Sequence, residues 1–141
     1  MPAFLVKTEP TEYSFEDLVR DHHTTWDGIS NALALIHLRT MRRGDTVAVY
    51  HSGRDKAVVG LAEVASDPYP DPKLGDPKRV VVDLVPRRRL VAPVSLQEFR
   101  GDEVLRTSEL VRISRLSVMP LTDAQLRRML AIASSPARSA R

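Results

Sequence analysis

Thr46-Val47-Ala48-Val49-Tyr50-His51-Ser52 is followed by Gly53-Arg54-Asp55 and then by Ala57-Val58-Val59-Gly60-Leu61-Ala62-Glu63-Val64-Ala65. The two flanking runs are β-branched and apolar, which is strand composition. The Gly-Arg-Asp step between them is turn chemistry, so the stretch reads as a β-hairpin. Downstream, Asp67 to Pro77 carries four prolines and a glycine and reads as a long surface loop. Arg79 to Val85 is a third strand, with Pro86 marking its end, a bulge or an edge. Upstream, Gly44-Asp45 ends a helix expected over Ala32 to Met41. Asn31 caps that helix, and Ala34, Leu35, Leu38 and Met41 make its apolar side.

The same logic extends to both ends of the chain. Ala3 to Lys7 is a short strand, broken at Glu9-Pro10 because the residue before a proline avoids the helical region. Ser14 caps a short helix, Phe15 to Val19, and Asp17 stands at capping-box spacing from it. Asp21 to Ser30 is polar, holds the single tryptophan and reads as a loop. Beyond the third strand, Ser95 to Phe99 fits a short helix, and Leu105 to Arg112 fits either a helix or a strand. Ile113 to Met119 reads as the last strand. Thr122, with Gln125 at capping-box spacing, opens a helix over Asp123 to Ala133. Its buried stripe is Leu126, Met129, Leu130 and Ala133. Strands separated by short helices, without βαβ alternation, predict a mixed α+β fold on a small barrel or curled antiparallel sheet. Residues 1–133 form the expected domain, and 134–141 a flexible polar tail.

The 141 residues are 43% hydrophobic, enough for one domain with its own core. No cysteine is present, which excludes thiol chemistry, cysteine-bound zinc and disulfides. No apolar run approaches the roughly 20 residues of a membrane span. No secretory leader is visible at Met1. A soluble, cytoplasmic and monomeric protein without cofactor or metal is the expectation. The net charge of +3 is a mild lean towards polyanions. Arg39, Arg42 and Arg43 cluster before a turn, and Arg87, Arg88 and Arg89 follow the third strand, where each group reads either as a solvated face or as a phosphate contact.

Catalytic signatures are missing. There is no phosphate-binding glycine-lysine loop, no GxGxxG, no HExxH and no GxSxG. His22-His23 are adjacent in a polar loop without a third ligand. His51-Ser52 has the residue types of a base and a nucleophile, but neighbours on a strand point to opposite faces, so Tyr50 and Ser52 share one face and His51 takes the other. Trp26 is either a lid on the core or a plate on which a flat ring stacks. The Trp26 loop runs into the N-terminus of the Asn31 helix, where unpaired N–H groups could meet a ligand. Lys7-Thr8-Glu9 sets a cation, a hydroxyl and a carboxylate at a strand end, groups able to read the edge of a base.

Phe4-Leu5-Val6-Lys7-Thr8-Glu9-Pro10 with Tyr13-Ser14 resembles the opening of EVE-domain proteins. Trp26-Asp27-Gly28-Ile29-Ser30-Asn31, Gly44-Asp45, Tyr50-His51-Ser52, Val59 to Val64, Tyr69-Pro70-Asp71-Pro72, Val82-Asp83-Leu84 and Arg115-Leu116-Ser117-Val118 continue the resemblance in order over about residues 4–132. The resemblance implies a PUA-like barrel of five to six mostly antiparallel strands with short flanking helices. It implies a non-enzymatic module that reads a modified base, such as a modified cytosine in DNA. The other readings are a PUA- or YTH-like RNA binder, a small-molecule-binding domain and, least, a hydrolase. By position the pocket would involve Lys7, Thr8, Glu9, Trp26, Ile29, Ser30, Asn31, Tyr50, His51, Ser52, Leu116, Ser117 and Val118. The nucleic-acid backbone would meet Arg39, Arg42, Arg43, Arg87 and Arg88. The chain departs from the family where Phe4 replaces a tryptophan, Ser30 an arginine, and Leu35 and Ile36 an arginine and an asparagine. Two anchors for phosphate or carboxylate are thereby removed.

Overall fold

Strand β1 (Ala3–Thr8) lies between two neighbours, and Ala3, Phe4, Leu5 and Val6 are all buried. A strand covered on both faces is a continuous apolar run and does not alternate. In this computed structural model, which describes residues 2–134, β1 pairs in parallel with β3 (Thr46–His51) and antiparallel with β7 (Val118–Leu121). The expected hairpin is present: β3 turns at Gly53 and pairs antiparallel with β4 (Ala57–Val64). β4 pairs with β6 (Val80–Ser95), and β6 carries the edge strand β2 (Thr24–Trp26) and the two-residue β5 (Tyr69–Pro70). The main path is β2-β6-β4-β3-β1-β7. Of the six pairings among the described residues only β1–β3 is parallel.

The strip curls into a half-barrel. Register shifts fall between Val49 and Tyr50, between Val58 and Gly60, and between Leu61 and Ala62. Each inserts extra backbone on one strand and bends it. Helices close the curl. α1 (Phe15–Asp21) packs on β6, α2 (Ala32–Thr40) on β6 and β7, and α5 (Asp123–Ala133) on β6. Capping boxes at Ser14/Asp17 and Thr122/Gln125, and the Asn31 cap, stand where the sequence placed them. Two more short helices, α3 (Leu96–Gly101) and α4 (Glu109–Arg112), flank a 3-10 turn at Leu105–Thr107.

Four expectations need correction. Asp21 to Ser30 is not all loop, because Thr24, Thr25 and Trp26 pair with Leu84, Asp83 and Val82. The segment Asp67 to Pro77 likewise yields β5. The third strand, expected over Arg79 to Val85, runs on to Ser95; Pro86 stands opposite Ala62 at a bulge, one of the three roles read for it in the sequence. A proline lacks the ladder N–H, and the bulge removes the need for it. The last strand begins at Val118, with Pro120 inside it; 113–117 lead into it as turn. β7 is an edge strand, which is where a proline can sit. The tail expected at 134–141 lies outside the described residues from 135 onward.

Candidate nucleic-acid interface

The two ends of the sheet path, β2 and β7, do not pair with each other. At this open seam lies a cavity of about 490 Å³. One wall is the end of β1 with the turn after it: Lys7, Thr8, Glu9, Glu12 and Tyr13. The facing wall is β2 and its exit: Thr24, Thr25, Trp26, Asp27, Gly28 and Ile29. Ser117, just before β7, completes the lining.

Local hydrogen bonds shape each wall. Thr8 Oγ1 donates to the Tyr13 carbonyl at 2.6 Å, and the Glu12 and Tyr13 amides donate to the Glu9 carbonyl. Glu9 Oε1 accepts from the Thr11 amide at 3.3 Å and from its hydroxyl at 3.2 Å. The Glu9 carboxylate lies over Gly53, where an added Cβ would stand 2.5 Å from Oε2. The Lys7 amide donates to the Ser117 carbonyl at 2.9 Å. On the facing wall Gly28 turns the chain with φ +78°, and Arg79 Nε donates to the Ile29 carbonyl at 2.8 Å. Tyr13 and Trp26 meet edge to face, with centroids 6.2 Å apart and planes at 80°. Trp26 is only 7% exposed, so it belongs to the core and lines the cavity at once.

The lining is acidic on balance: Glu9, Glu12 and Asp27 stand against Lys7. Lys73 Nζ approaches Asp27 at 3.8 Å. Burial lowers the Lys7 pKa from the ordinary lysine value, and burial raises that of the Tyr13 phenol, whose OH donates to Asp21 at 3.0 Å. Lys7 Nζ donates to the Ser114 carbonyl at 2.8 Å and lies 5.7 Å from the centre of the Tyr50 ring.

Of the residues singled out in the sequence, Lys7, Thr8, Glu9, Trp26, Ile29 and Ser117 come together in this cavity. The others go elsewhere. Ser30 is exposed, and Asn31 spends its side-chain oxygen on the Ala34 amide at 3.0 Å as a helix cap. Tyr50 and Ser52 line a smaller neighbouring cavity, on one face as the strand alternation predicts. His51 turns to α1. Its Nε2 accepts from the Phe15 amide at 2.9 Å, so Nδ1 carries the proton and faces Asp55 at 3.0 Å. Ser52 Oγ donates to the Thr8 carbonyl at 3.3 Å, so it forms no dyad with His51. Leu116 and Val118 are core residues. Arg39 donates to the Lys78 carbonyl, and Arg42 to the carbonyls of Arg39 and Met41. Arg43 is exposed, with its backbone amide on Asp67. Arg87 pairs with Glu63, while Arg88 borders a groove against α5.

The sequence reading missed Glu12, Thr24, Thr25, Asp27 and Gly28 as lining, and used Tyr13 only as part of the family's opening. The proximity of Asp27 and Gly28 to Trp26 was the signal available. Glu12 had none, because it depends on how the turn after β1 closes. Among the described residues no group of three or more His, Asp or Glu could hold a metal. No described helix is long and apolar enough to cross a membrane.

A family model described as the EVE domain matches residues 3–132. Thymocyte nuclear protein 1 of Mus musculus is 29% identical over 156 residues, covering 86% of this chain and 69% of that protein. A solved protein of Agrobacterium tumefaciens superposes with a TM-score of 0.92 at 31% identity, covering 95% and 94% of the two chains. Human THYN1, solved in complex with DNA containing 5-methylcytosine, superposes with a TM-score of 0.88 at 26% identity, covering 96% and 99%.

Proposed function

This chain belongs to the EVE domain family, and on that premise we propose that it is a non-enzymatic nucleic-acid-binding module that takes one modified base, extruded from its strand, into the seam cavity. The observation that carries the reading is the cavity itself: about 490 Å³, open to solvent, with an aromatic pair and three carboxylates in its lining. That volume is within the usual range of ligand sites, roughly 300–1,000 Å³. The DNA-bound relative of the same fold supports it.

The chemistry is consistent with a base as ligand. Unstacking a base costs a few kcal/mol. Contact with an aromatic ring returns about 1–3 kcal/mol. Three carboxylates around the cavity favour an edge that donates. Cytosine and adenine present an exocyclic amine, whereas thymine and uracil present carbonyls in its place. A methyl group alone gives about 1–3 kcal/mol of selectivity through an apolar niche. The test is titration with single-stranded oligonucleotides bearing one 5-methylcytosine, cytosine or thymine, in DNA and RNA. The 5-methylcytosine strand is expected to bind tightest and the thymine strand at least tenfold more weakly, a difference that Glu12→Gln narrows. Equal affinity for all three strands counts against the reading. Tighter binding of the RNA strand moves it to an RNA module.

The acid excess favours a second reading, a small amine or cationic heterocycle bound free of any polymer. Binding of the nucleoside as tight as that of the oligonucleotide supports it. A hydrolase built on His51 and Ser52 has no support in the geometry, since both ring nitrogens are engaged with Phe15 and Asp55.

A further inference from the structure

Behind Lys7 lies a second cavity of about 200 Å³, and its charge is opposite to that of the first. Lys7, Lys56 and Arg100 line it with Tyr50, Ser52, Gly53 and Ser114; no carboxylate is among its lining residues, and Glu9, which lines the first cavity, lies against Gly53. Arg20, Arg87, Arg89 and Arg128 are each paired with an aspartate or glutamate. Among the described residues Lys56 and Arg100 have no ion pair and no side-chain hydrogen bond. Lys7 Nζ has one acceptor, the Ser114 carbonyl, which leaves two of its three donors for a ligand. Lys7 borders both cavities, acid-lined on one side and cation-lined on the other.

We propose that the Lys7–Lys56–Arg100 cavity is a phosphate site, holding the phosphate next to the nucleotide whose base fills the seam cavity. The assignment of the base rests on the function proposed above; the anion site itself does not. Two cations without partners and a desolvated ammonium on one small concavity suit a tetrahedral dianion or a backbone diester, because charge-assisted N–H···O bonds are about twice as strong as neutral ones. Arg100 brings a planar fork able to grip two phosphate oxygens. The Tyr50 hydroxyl can donate to a remaining oxygen. The two cavities then orient a nucleotide by charge alone, with its amine-bearing edge towards Glu9, Glu12 and Asp27, and its phosphate towards Lys56 and Arg100.

The experiment is an NMR titration of the whole chain, wild type and the Lys56→Asn/Arg100→Gln double variant. Both positions are exposed, and asparagine tolerates the left-handed backbone at Lys56 (φ +44°). The probes are inorganic phosphate, 5-methyldeoxycytidine, its 3′- and 5′-monophosphates, and a short single-stranded DNA with one 5-methylcytosine. Wild type should bind one monophosphate about tenfold tighter than the nucleoside, the scale of one charge-assisted bond. The double variant should bind the nucleoside unchanged and lose that advantage. An equal loss for the oligonucleotide assigns the site to backbone phosphate, and a loss confined to the monophosphate assigns it to free nucleotides. A monophosphate bound no tighter than the nucleoside by wild type overturns the site while leaving the base reading standing. If the nucleoside does not bind, inorganic phosphate decides. Shifts at Lys56 and Arg100 that vanish in the variant keep the site and remove the base reading. Shifts spread over all surface arginines alike overturn it.

Discussion

Gly60 sits against the Phe15 ring so closely that an added Cβ would meet ring atoms at 2.5–2.7 Å. Phe15 is buried and cannot retreat. Gly60→Ala should therefore cost about 1–3 kcal/mol in chemical denaturation, the scale of overpacking. Gly53 tells a functional version of the same story. Its φ of +74° and the overlying Glu9 carboxylate disfavour any side chain. Gly53→Ala should cost about 1–2 kcal/mol through its backbone. It should also weaken ligand binding by displacing Glu9, a loss that calorimetric titration would detect. Trp26 offered two readings in the sequence, lid or plate; the structure buries it in the core and sets it on the cavity lining. Trp26→Ala should destabilise the fold by about 3–5 kcal/mol, as for other buried aromatics. Loss of binding in that variant would not isolate a role in stacking, which is why the carboxylates make the cleaner test. Lys7, Thr8 and Glu9 stood out through the resemblance of the chain's opening to EVE-domain proteins; by residue type alone they fit an ordinary strand-to-loop exit, and each also makes a local bond, to Ser114, Tyr13 and Thr11. Glu12 was not legible, since nothing local marks an exposed glutamate as facing a cavity.

Strand β2 is the element that holds the facing wall, and it is short. Three residue pairs and one side-chain cluster fix it to β6. In that cluster Tyr69 donates to Asp83 at 2.6 Å, Thr25 at 3.1 Å, and His23 lies 3.4 Å away. Burial pushes the Asp83 pKa up, but the bonds from Tyr69, Thr25 and His23 outweigh it and hold the carboxyl below its ordinary value of 3.8. The folded value is the lower one, so the stabilisation is full above the unfolded value and drains as pH falls through the folded value. Acid unfolding should thus steepen below about pH 3.8, and Asp83→Asn should flatten that limb in a circular dichroism titration. The hairpin and the capped helices were readable because each rests on chemistry within a few residues: turn glycines, capping boxes, apolar periodicity. β2, β5 and the second half of β6 were not, because their partners lie far away in sequence. Thr24-Thr25-Trp26 becomes a strand only when β6 supplies the ladder. Pro86 could have ended β6, and the bulge opposite Ala62 lets it continue.

At the scale of the whole molecule, the fold is a curled sheet whose end strands do not pair, and the candidate site is the cavity between the end of β1, strand β2 with its exit, and Ser117 just before β7. Both β2 and β7 are edges of the sheet. At the two positions where the resemblance implied arginines, Ser30 is exposed and Leu35 is core. Arg79 grips the carbonyl of Ile29, which lines the cavity, and Arg39 donates to the carbonyl of Lys78, the residue before Arg79. Arg39→Gln should lower affinity for all sequences and reduce the slope of log K against log salt by about 0.7 for a single strand.

The most direct test is to follow the backbone and tryptophan indole signals of the chain while adding a DNA strand with a single 5-methylcytosine, and then its unmodified twin. The account predicts saturable shifts centred on Lys7–Glu9, Trp26–Ile29 and Ser117, larger and tighter for the modified strand. Shifts centred on Arg87 and Arg88, equal for both strands and leaving the Trp26 indole untouched, would contradict it.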